Sequence, residues 1–401
     1  MDIKDQKIFW VSKFYEHTGY SYISRTFFNK LFEKGYNIKP EIMNSIPEVD
    51  KDIIKYYESL KYKGNNHLPY LGNDAIKIVC WLPINNIPQF KHNIIYTMME
   101  SRMLNENFIF DCNRNYNSCW VPNYSMKKIF TESGLGIPVN IVPIGIDQKY
   151  NVENLDNIKD YKLIYKVFNK GKKVPQNPNG YKFISVFRWS FRKGFDVLIK
   201  SFLREFKKSD NVSLSIISRH AAASFDKRFY DAIEHDINKL FNKYGDENSA
   251  PIYWCSDNVP DYYMPKLYAN HDVFISTSRG DGIALPPLEA SKMGLPVIIP
   301  NHTGFEDYSL ESTCYNFDVD EWVVCNDIPE WKGWVTRAFD GQEFPRFGNK
   351  KVEEISGIMR NVYNNPSAGK EKVINMNKKI DELYTWDAAC KSAERELKKI
   401  L

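Results

Sequence analysis

Apolar residues in this chain fall in short unbroken runs separated by helical spacing, rather than in the alternation of an exposed sheet. Ile8-Phe9-Trp10-Val11 is followed by a loop to Gly19 and by apolar residues at Ile23, Phe27, Leu31 and Phe32, a helical face that Gly35 ends before Tyr36-Asn37-Ile38 starts a second strand. Further runs at Ile76–Leu82, Asn93–Met98, Ser118–Val121 and Ile141–Pro143 read as strands, with helical segments such as Ser125–Ser133 between them. Strands apolar on both faces, alternating with helices, predict a parallel sheet covered on both sides.

From about 148 to 180 the chain turns polar and Lys/Asn-rich, which suits a connection between domains. The rhythm then restarts. Strands are expected at Lys182–Phe187, Val212–Ser218, Ile252–Cys255, Val273–Ser276 and Val297–Pro300, with helices at Gly194–Phe206 and Phe225–Tyr244. A less regular stretch over 311–350 precedes three helical patterns near 350–363, 369–383 and 386–400. The expected fold class is α/β, with two Rossmann-like doubly wound domains facing a cleft.

At 401 residues the chain has room for two cores. Its net charge of +4 leaves no electrostatic footprint of nucleic-acid binding. The seven cysteines form no C-x-x-C pair and have no histidine at ligand spacing, so reduced, buried thiols are expected and no metal site is read. No apolar run reaches the roughly 20 residues of a bilayer span, and the first residues do not form a signal peptide. A cytoplasmic protein is expected, with peripheral membrane contact left open.

The chemistry concentrates in the run from Ser276 to Ile298. Asp281 and Glu289 are separated by seven residues across a glycine-containing loop that enters a short helix, with Pro286 and Pro287 suited to its first turn and Gly294 to its end. Backbone N–H groups at such a helix start attract phosphate. In open α/β sheets ligands sit beyond the carboxyl ends of the strands, so three loops should converge. One contains Gly19, another runs from Arg188 to Asp196 with Arg188 and Lys193 as cations, and the third is the Asp281 loop. Two fixed cations would neutralise a pyrophosphate without a metal.

Phe183–Phe187 with Arg188, Lys193–Ile199, Leu267-Tyr268-Ala269, Asp272–Ile275 and Ser278–Gly282 through Ile298 resemble the carboxy-terminal half of GT-B glycosyltransferases, most closely family 4, the group 1 glycosyl transferases. Pro143–Asp147 resembles the segment that ends the family's first domain. The resemblance implies an acceptor domain over 1–165, a nucleotide-sugar donor domain over 166–385 and a terminal helix, 386–401, crossing back to the first domain. It implies that Arg188 and Lys193 bind the donor pyrophosphate, that Glu289 binds the ribose, and that Asp281 contacts the transferred sugar. Gly282, Ile283, Ala284 and Leu285 would line the donor, Gly19 would approach it from the first domain, and the segment holding Trp254 would lie near the nucleobase.

Asp281 stands where the family carries Glu, one methylene longer. Where many members carry a His in the first domain, this chain has Tyr96-Thr97-Met98-Met99-Glu100, so Glu100 is the candidate to position the acceptor or take its proton. Trp254, Trp322, Trp331 and Trp334 could serve as sugar platforms, but core packing is the better reading for each. The implied activity is retaining transfer of a sugar from a UDP- or GDP-linked donor to a saccharide or other hydroxyl acceptor, without cofactor. The alternatives are an inactive nucleotide- or sugar-binding protein of the same fold and a GT-B sugar epimerase. A nicotinamide-dependent oxidoreductase ranks last, since no G-x-G-x-x-G follows the first strand.

Overall fold

The computed structural model describes residues 3–16, 18–43, 49, 51–61, 74–84, 90–170, 175–219, 227–327 and 339–400. His17, Phe225, Trp331, Trp334 and residues 171–174 of the polar segment lie outside the described residues. The chain divides into two compact units, one of Met1–Met99, Met103–Gly145 and Glu382–Leu401, the other of Glu100–Arg102 and Ile146–Asp381.

In the first unit the order is β1 (Ile8–Ser12), α1 (Gly19–Glu33), β2 (Ile38–Ile42), α2 (Lys51–Leu60), β3 (Ile76–Cys80), β4 (His92–Tyr96), α3 (Glu106–Asn115), β5 (Ser118–Val121), α4 (Tyr124–Glu132) and β6 (Val139–Ile141). The sheet runs β2-β1-β3-β4-β5-β6 and every pairing is parallel. Its interior is aromatic. Trp10 stacks on Phe27 with ring centroids 5.4 Å apart, and Tyr96 meets both Phe27 and Trp120 edge-on.

The second unit contains β7 (Lys166–Phe168), β8 (Tyr181–Arg188), α5 (Phe195–Glu205), β9 (Val212–Arg219), α6 (Lys227–Tyr244), β10 (Ile252–Cys255), α7 (Met264–Ala269), β11 (Val273–Ile275), α8 (Leu285–Lys292) and β12 (Val297–Pro300). It continues with β13 (Tyr315–Phe317), the pair β14 (Glu321–Val324) and β15 (Glu343–Arg346), α9 (Asn349–Asn364) and α10 (Gly369–Leu383). The sheet order is β13-β12-β11-β8-β9-β10-β7. Counting β8, β9, β10 as 1, 2, 3 and β11, β12, β13 as 4, 5, 6, the parallel strands follow the 3-2-1-4-5-6 order of dinucleotide-binding folds. That order reverses between β8 and β11, so the ligand crevice of this sheet lies beyond Arg188 and Ile275.

The polar segment 148–180 is not a free connection. It joins the second unit through a 3-10 turn at Val152–Asn157 and through β7, which pairs antiparallel with β10 at the sheet edge. Its polarity reflects an edge position, where one side of the strand faces solvent.

The last helix, α11 (Trp386–Lys398), belongs to the first unit. Thr385 caps it by accepting from the Ala388 N–H at 3.2 Å, and Trp386 buries itself edge-on against Phe27, with ring centroids 5.5 Å apart. Trp386→Ala should therefore remove about 3–5 kcal/mol from the unfolding free energy of this unit, measured by chemical denaturation. A loss below about 1 kcal/mol would show that α11 is not part of its core.

Candidate active site

The loops after β8 and β11 are pressed together at backbone level. After Arg188 the chain makes a 3-10 turn at Phe191–Lys193 and reaches Gly194 at φ +70, from which α5 starts. A Cβ on Gly194 would lie 1.9 Å from the Thr277 carbonyl oxygen, so only glycine fits. The Thr277 hydroxyl donates to the Gly194 carbonyl at 2.8 Å, and the Arg279 N–H donates to the Arg192 carbonyl at 2.6 Å.

Arg279 fastens this contact. Its guanidinium makes a two-pronged pair with Asp196 in the first turn of α5, at 2.9 and 3.0 Å, and donates to the Phe191 carbonyl at 2.7 Å. It lies over the Phe191 ring, 4.0 Å from the centroid, and is 3% exposed. Burial works to raise the Asp196 pKa, but the Arg279 charge and hydrogen bonds outweigh it and hold the carboxyl below its usual range.

On this frame sit the charged residues. Lys193 pairs directly with Asp281, and Arg192 Nη1 lies 3.5 Å from the same carboxylate oxygen while donating to the Gly280 carbonyl. The other guanidinium nitrogen of Arg192 is 3.4 Å from Glu100. Burial lowers the Lys193 pKa against the pull of Asp281, whereas Asp281, which burial alone would raise, is held low by Lys193 and Arg192.

Glu100, Ser101 and Arg102 pack within the second unit. A Cβ on Gly280 would lie 1.7 Å from the Glu100 carbonyl oxygen, and the Arg102 N–H donates to the Glu343 carbonyl at 3.3 Å. Glu100 is thus an ion-pair partner of Arg192 rather than an isolated base.

The loop after β12 supports Asp281 from another side. The Asp281 N–H donates to the Thr303 hydroxyl at 3.3 Å, and the Gly304 N–H donates to the Asp281 carbonyl at 2.7 Å. Thr303 is held at φ +49, a strained setting for a β-branched residue that persists only where its surroundings impose it. Beside it His302 is buried, which depresses its pKa to about 4 and keeps the ring neutral.

Glu289 lies on α8 and accepts from the Tyr268 hydroxyl at 3.1 Å, with Tyr150 and Lys149 also acting on it. Burial raises its pKa to about 7 despite those partners. Gly282, Ile283 and Ala284 form the buried loop leading into Leu285, the first residue of α8, and the Tyr308 hydroxyl fixes that loop by donating to the Ala284 carbonyl at 2.8 Å.

Of the residues read from the sequence, Lys193, Asp281 and Glu100 come together around Arg192, while Arg188 ends β8 on the same side of the sheet, half-buried. Gly19 is in the first unit, where it opens α1 behind the Thr18 cap. Trp254 packs in the core, the better reading for its ring. Its ring is 1% exposed, packs on Tyr230 in the core and donates to the Ser218 carbonyl at 2.8 Å, so its side chain offers no surface to a nucleobase.

Sequence reading missed the roles of Arg192, Arg279 and Asp196. Arg279 and Asp196 carry opposite charge in two apolar loops, and that complementarity was the available signal. Among the described residues no group of three or more His, Cys, Asp or Glu side chains is arranged to hold a metal ion. All seven cysteines are free and buried.

Residues 180–330 match the sequence model described as Glycosyl transferases group 1. The serotype-specific mannosyltransferase WbdA of Escherichia coli is 30% identical over 80 residues, which is 20% of this chain and only 10% of that protein's length. The structure of Anabaena HepE in complex with UDP and glucose covers 98% of this chain and 100% of its own, with a TM-score of 0.62 at 10% identity. Sucrose-phosphate synthase from Thermosynechococcus elongatus covers 98% and 99%, with a TM-score of 0.61 at 12% identity. At these identities the likeness establishes the fold, which is that of the GT-B glycosyltransferases.

Two outcomes follow for the second unit. Arg279→Ala leaves the buried Asp196 with Lys200, 3.9 Å away, and the Val197 N–H, and should cost about 3–5 kcal/mol in chemical denaturation, with Arg279→Lys restoring little because it lacks the planar fork. The Glu289 pKa is raised on folding, so its contribution to stability is complete below about 4.5 and is lost as pH rises through about 7. Melting temperature should therefore fall between pH 5 and 8 more steeply in the parent than in Glu289→Gln. Parallel profiles would refute the buried setting of this carboxyl.

Proposed function

We propose that the protein is a retaining glycosyltransferase that moves a sugar from a UDP- or GDP-linked donor to a hydroxyl of a saccharide or other acceptor. The observation that carries the reading is the convergence of Lys193, Arg192 and Asp281 at the switch point of the second sheet, beyond the β8 end where Arg188 lies, with Glu289 in a buried polar pocket on the adjoining helix. The likeness to a protein solved with UDP and glucose and to a mannosyltransferase supports a nucleotide-sugar donor.

In this reading Arg188 and Lys193 hold the pyrophosphate and stabilise the negative charge that grows on the departing nucleoside diphosphate. Glu289 accepts from the ribose hydroxyls, and Asp281 accepts from a hydroxyl of the transferred sugar. Gly282, Ile283, Ala284 and Leu285 shape the wall on which the donor lies. The acceptor oxygen attacks the anomeric carbon from the face the phosphate leaves, and a donor phosphate oxygen takes the acceptor proton. That course needs neither a metal nor a protein base, and it suits a Glu100 already paired with Arg192. The domain assignment in this reading gives the first unit, with Gly19, to the acceptor. Free thiols at all seven cysteines support a reducing, cytoplasmic setting.

A second reading, a nucleotide-sugar binder without turnover, is favoured by the shorter Asp281 already paired with Lys193. Turnover separates the two. Stabilisation by a panel of UDP- and GDP-linked sugars should reach about 2.7 kcal/mol at 100 times the dissociation constant. Lys193→Ala should lower kcat/KM with the stabilising donor by roughly 100- to 1,000-fold, in line with the removal of one transition-state donor. No stabilisation by any nucleotide sugar, or unchanged turnover in Lys193→Ala, would overturn the proposal.

A further inference from the structure

Next to the donor loops the second unit holds a cavity of about 390 Å³ between the first turns of α5 and the β14–β15 pair. The volume is in the range of small-ligand pockets. Two properties of its lining define what it suits. Its ionisable side chains balance, Asp196, Asp327 and Glu343 against Lys200, Arg279 and Arg346, so the cavity presents hydrogen-bond donors and acceptors without a net field for an anion or a cation. Several are already paired, Arg279 with Asp196 at 2.9 Å, Glu343 with Arg102 at 3.5 Å and Arg346 with Glu321 at 3.9 Å, which leaves hydrogen-bonding edges rather than bare charge.

The remaining lining is aromatic and aliphatic, with Trp322, Phe347 and Phe191 beside Val323 and Val324. Phe347 and Phe191 are buried, whereas Trp322 is only half-buried and is the ring able to meet a ligand. Arg102 lies 5.3 Å from the Trp322 ring centroid and His302 meets the ring nearly edge-on, with centroids 5.8 Å apart, so the indole is fixed in place.

A neutral ligand with many hydroxyls and one apolar face matches such a wall. Its C–H face stacks on an indole, and its hydroxyls bridge carboxylates and guanidinium groups at once.

We propose that this cavity is a binding site for a neutral saccharide, separate from the donor position at Lys193 and Asp281. Trp322 provides the platform, and Asp327 and Arg346 at the open side bind the hydroxyls. Arg279 belongs to both places. Its side chain forms the inner wall, while its backbone N–H holds the Arg192 carbonyl two residues before Asp281. Saccharide held here therefore rests on the same frame that positions the donor loop.

The test is a calorimetric titration of the full chain, without nucleotide, with glucose, mannose, N-acetylglucosamine and disaccharides of each. At least one should bind with a dissociation constant in the millimolar range or tighter. Trp322→Ala and the exposed Asp327→Asn should each weaken it at least tenfold, while nucleotide-sugar binding stays within twofold. The Asp327→Asn arm stands even if Trp322→Ala fails to fold. No binding by any of these sugars, binding indifferent to both substitutions, or binding confined to sugar phosphates would overturn the site. Because nucleotide is absent from the titration, that failure leaves the proposed transfer activity untouched, and loss of nucleotide-sugar binding in the parent would leave the cavity untouched.

Discussion

The second unit depends on the burial of one guanidinium against one carboxylate. Arg279 and Asp196 sit on loops that leave different strands, and each alone would be a costly charge in an apolar setting. Together they clamp the loop after β11 onto the start of α5, and the clamp sets the backbone spacing that leaves room for glycine alone at position 194. Lys193 and Asp281 meet because their neighbours in sequence are locked in this way. Lys193 and Asp281 are thus positioned by a charge pair to which neither belongs.

A second constraint is strain. Thr303 occupies a left-handed conformation that its branched side chain disfavours, and its hydroxyl accepts from the Asp281 backbone. Rigid support on both sides of the Asp281 loop, Arg279 below and Thr303 beside, suits a carboxylate that must be held to a fraction of an ångström.

The runs Ile8–Val11, Ser118–Val121 and Ile252–Cys255 could be read as strands because a strand buried on both faces has to be apolar throughout. The strands β7, β13, β14 and β15 escaped, since each is only three or four residues long and partly exposed. At the site, Lys193, Asp281 and Glu289 were legible because their motif is local. The Arg279–Asp196 pair spans 83 residues of sequence, and such a contact leaves no periodic trace. The Trp254 ring lies in the core, as its aromatic character leads one to expect, so any contact of its segment with a nucleobase would fall to the backbone.

The contact between Lys193 and Asp281 has a bearing on selectivity between substrate and product. A phosphate that recruits Lys193 strips Asp281 of its nearest counter-charge, and a buried carboxylate then needs a new donor. A nucleotide still carrying its sugar supplies one through a hydroxyl, whereas a bare nucleoside diphosphate does not. Under the proposed transfer reaction, the lysine–aspartate contact would act as a competitor that the spent nucleotide overcomes less well than the loaded one. It would favour release after transfer, and would make the missing methylene of Asp281 a determinant of how long the product stays.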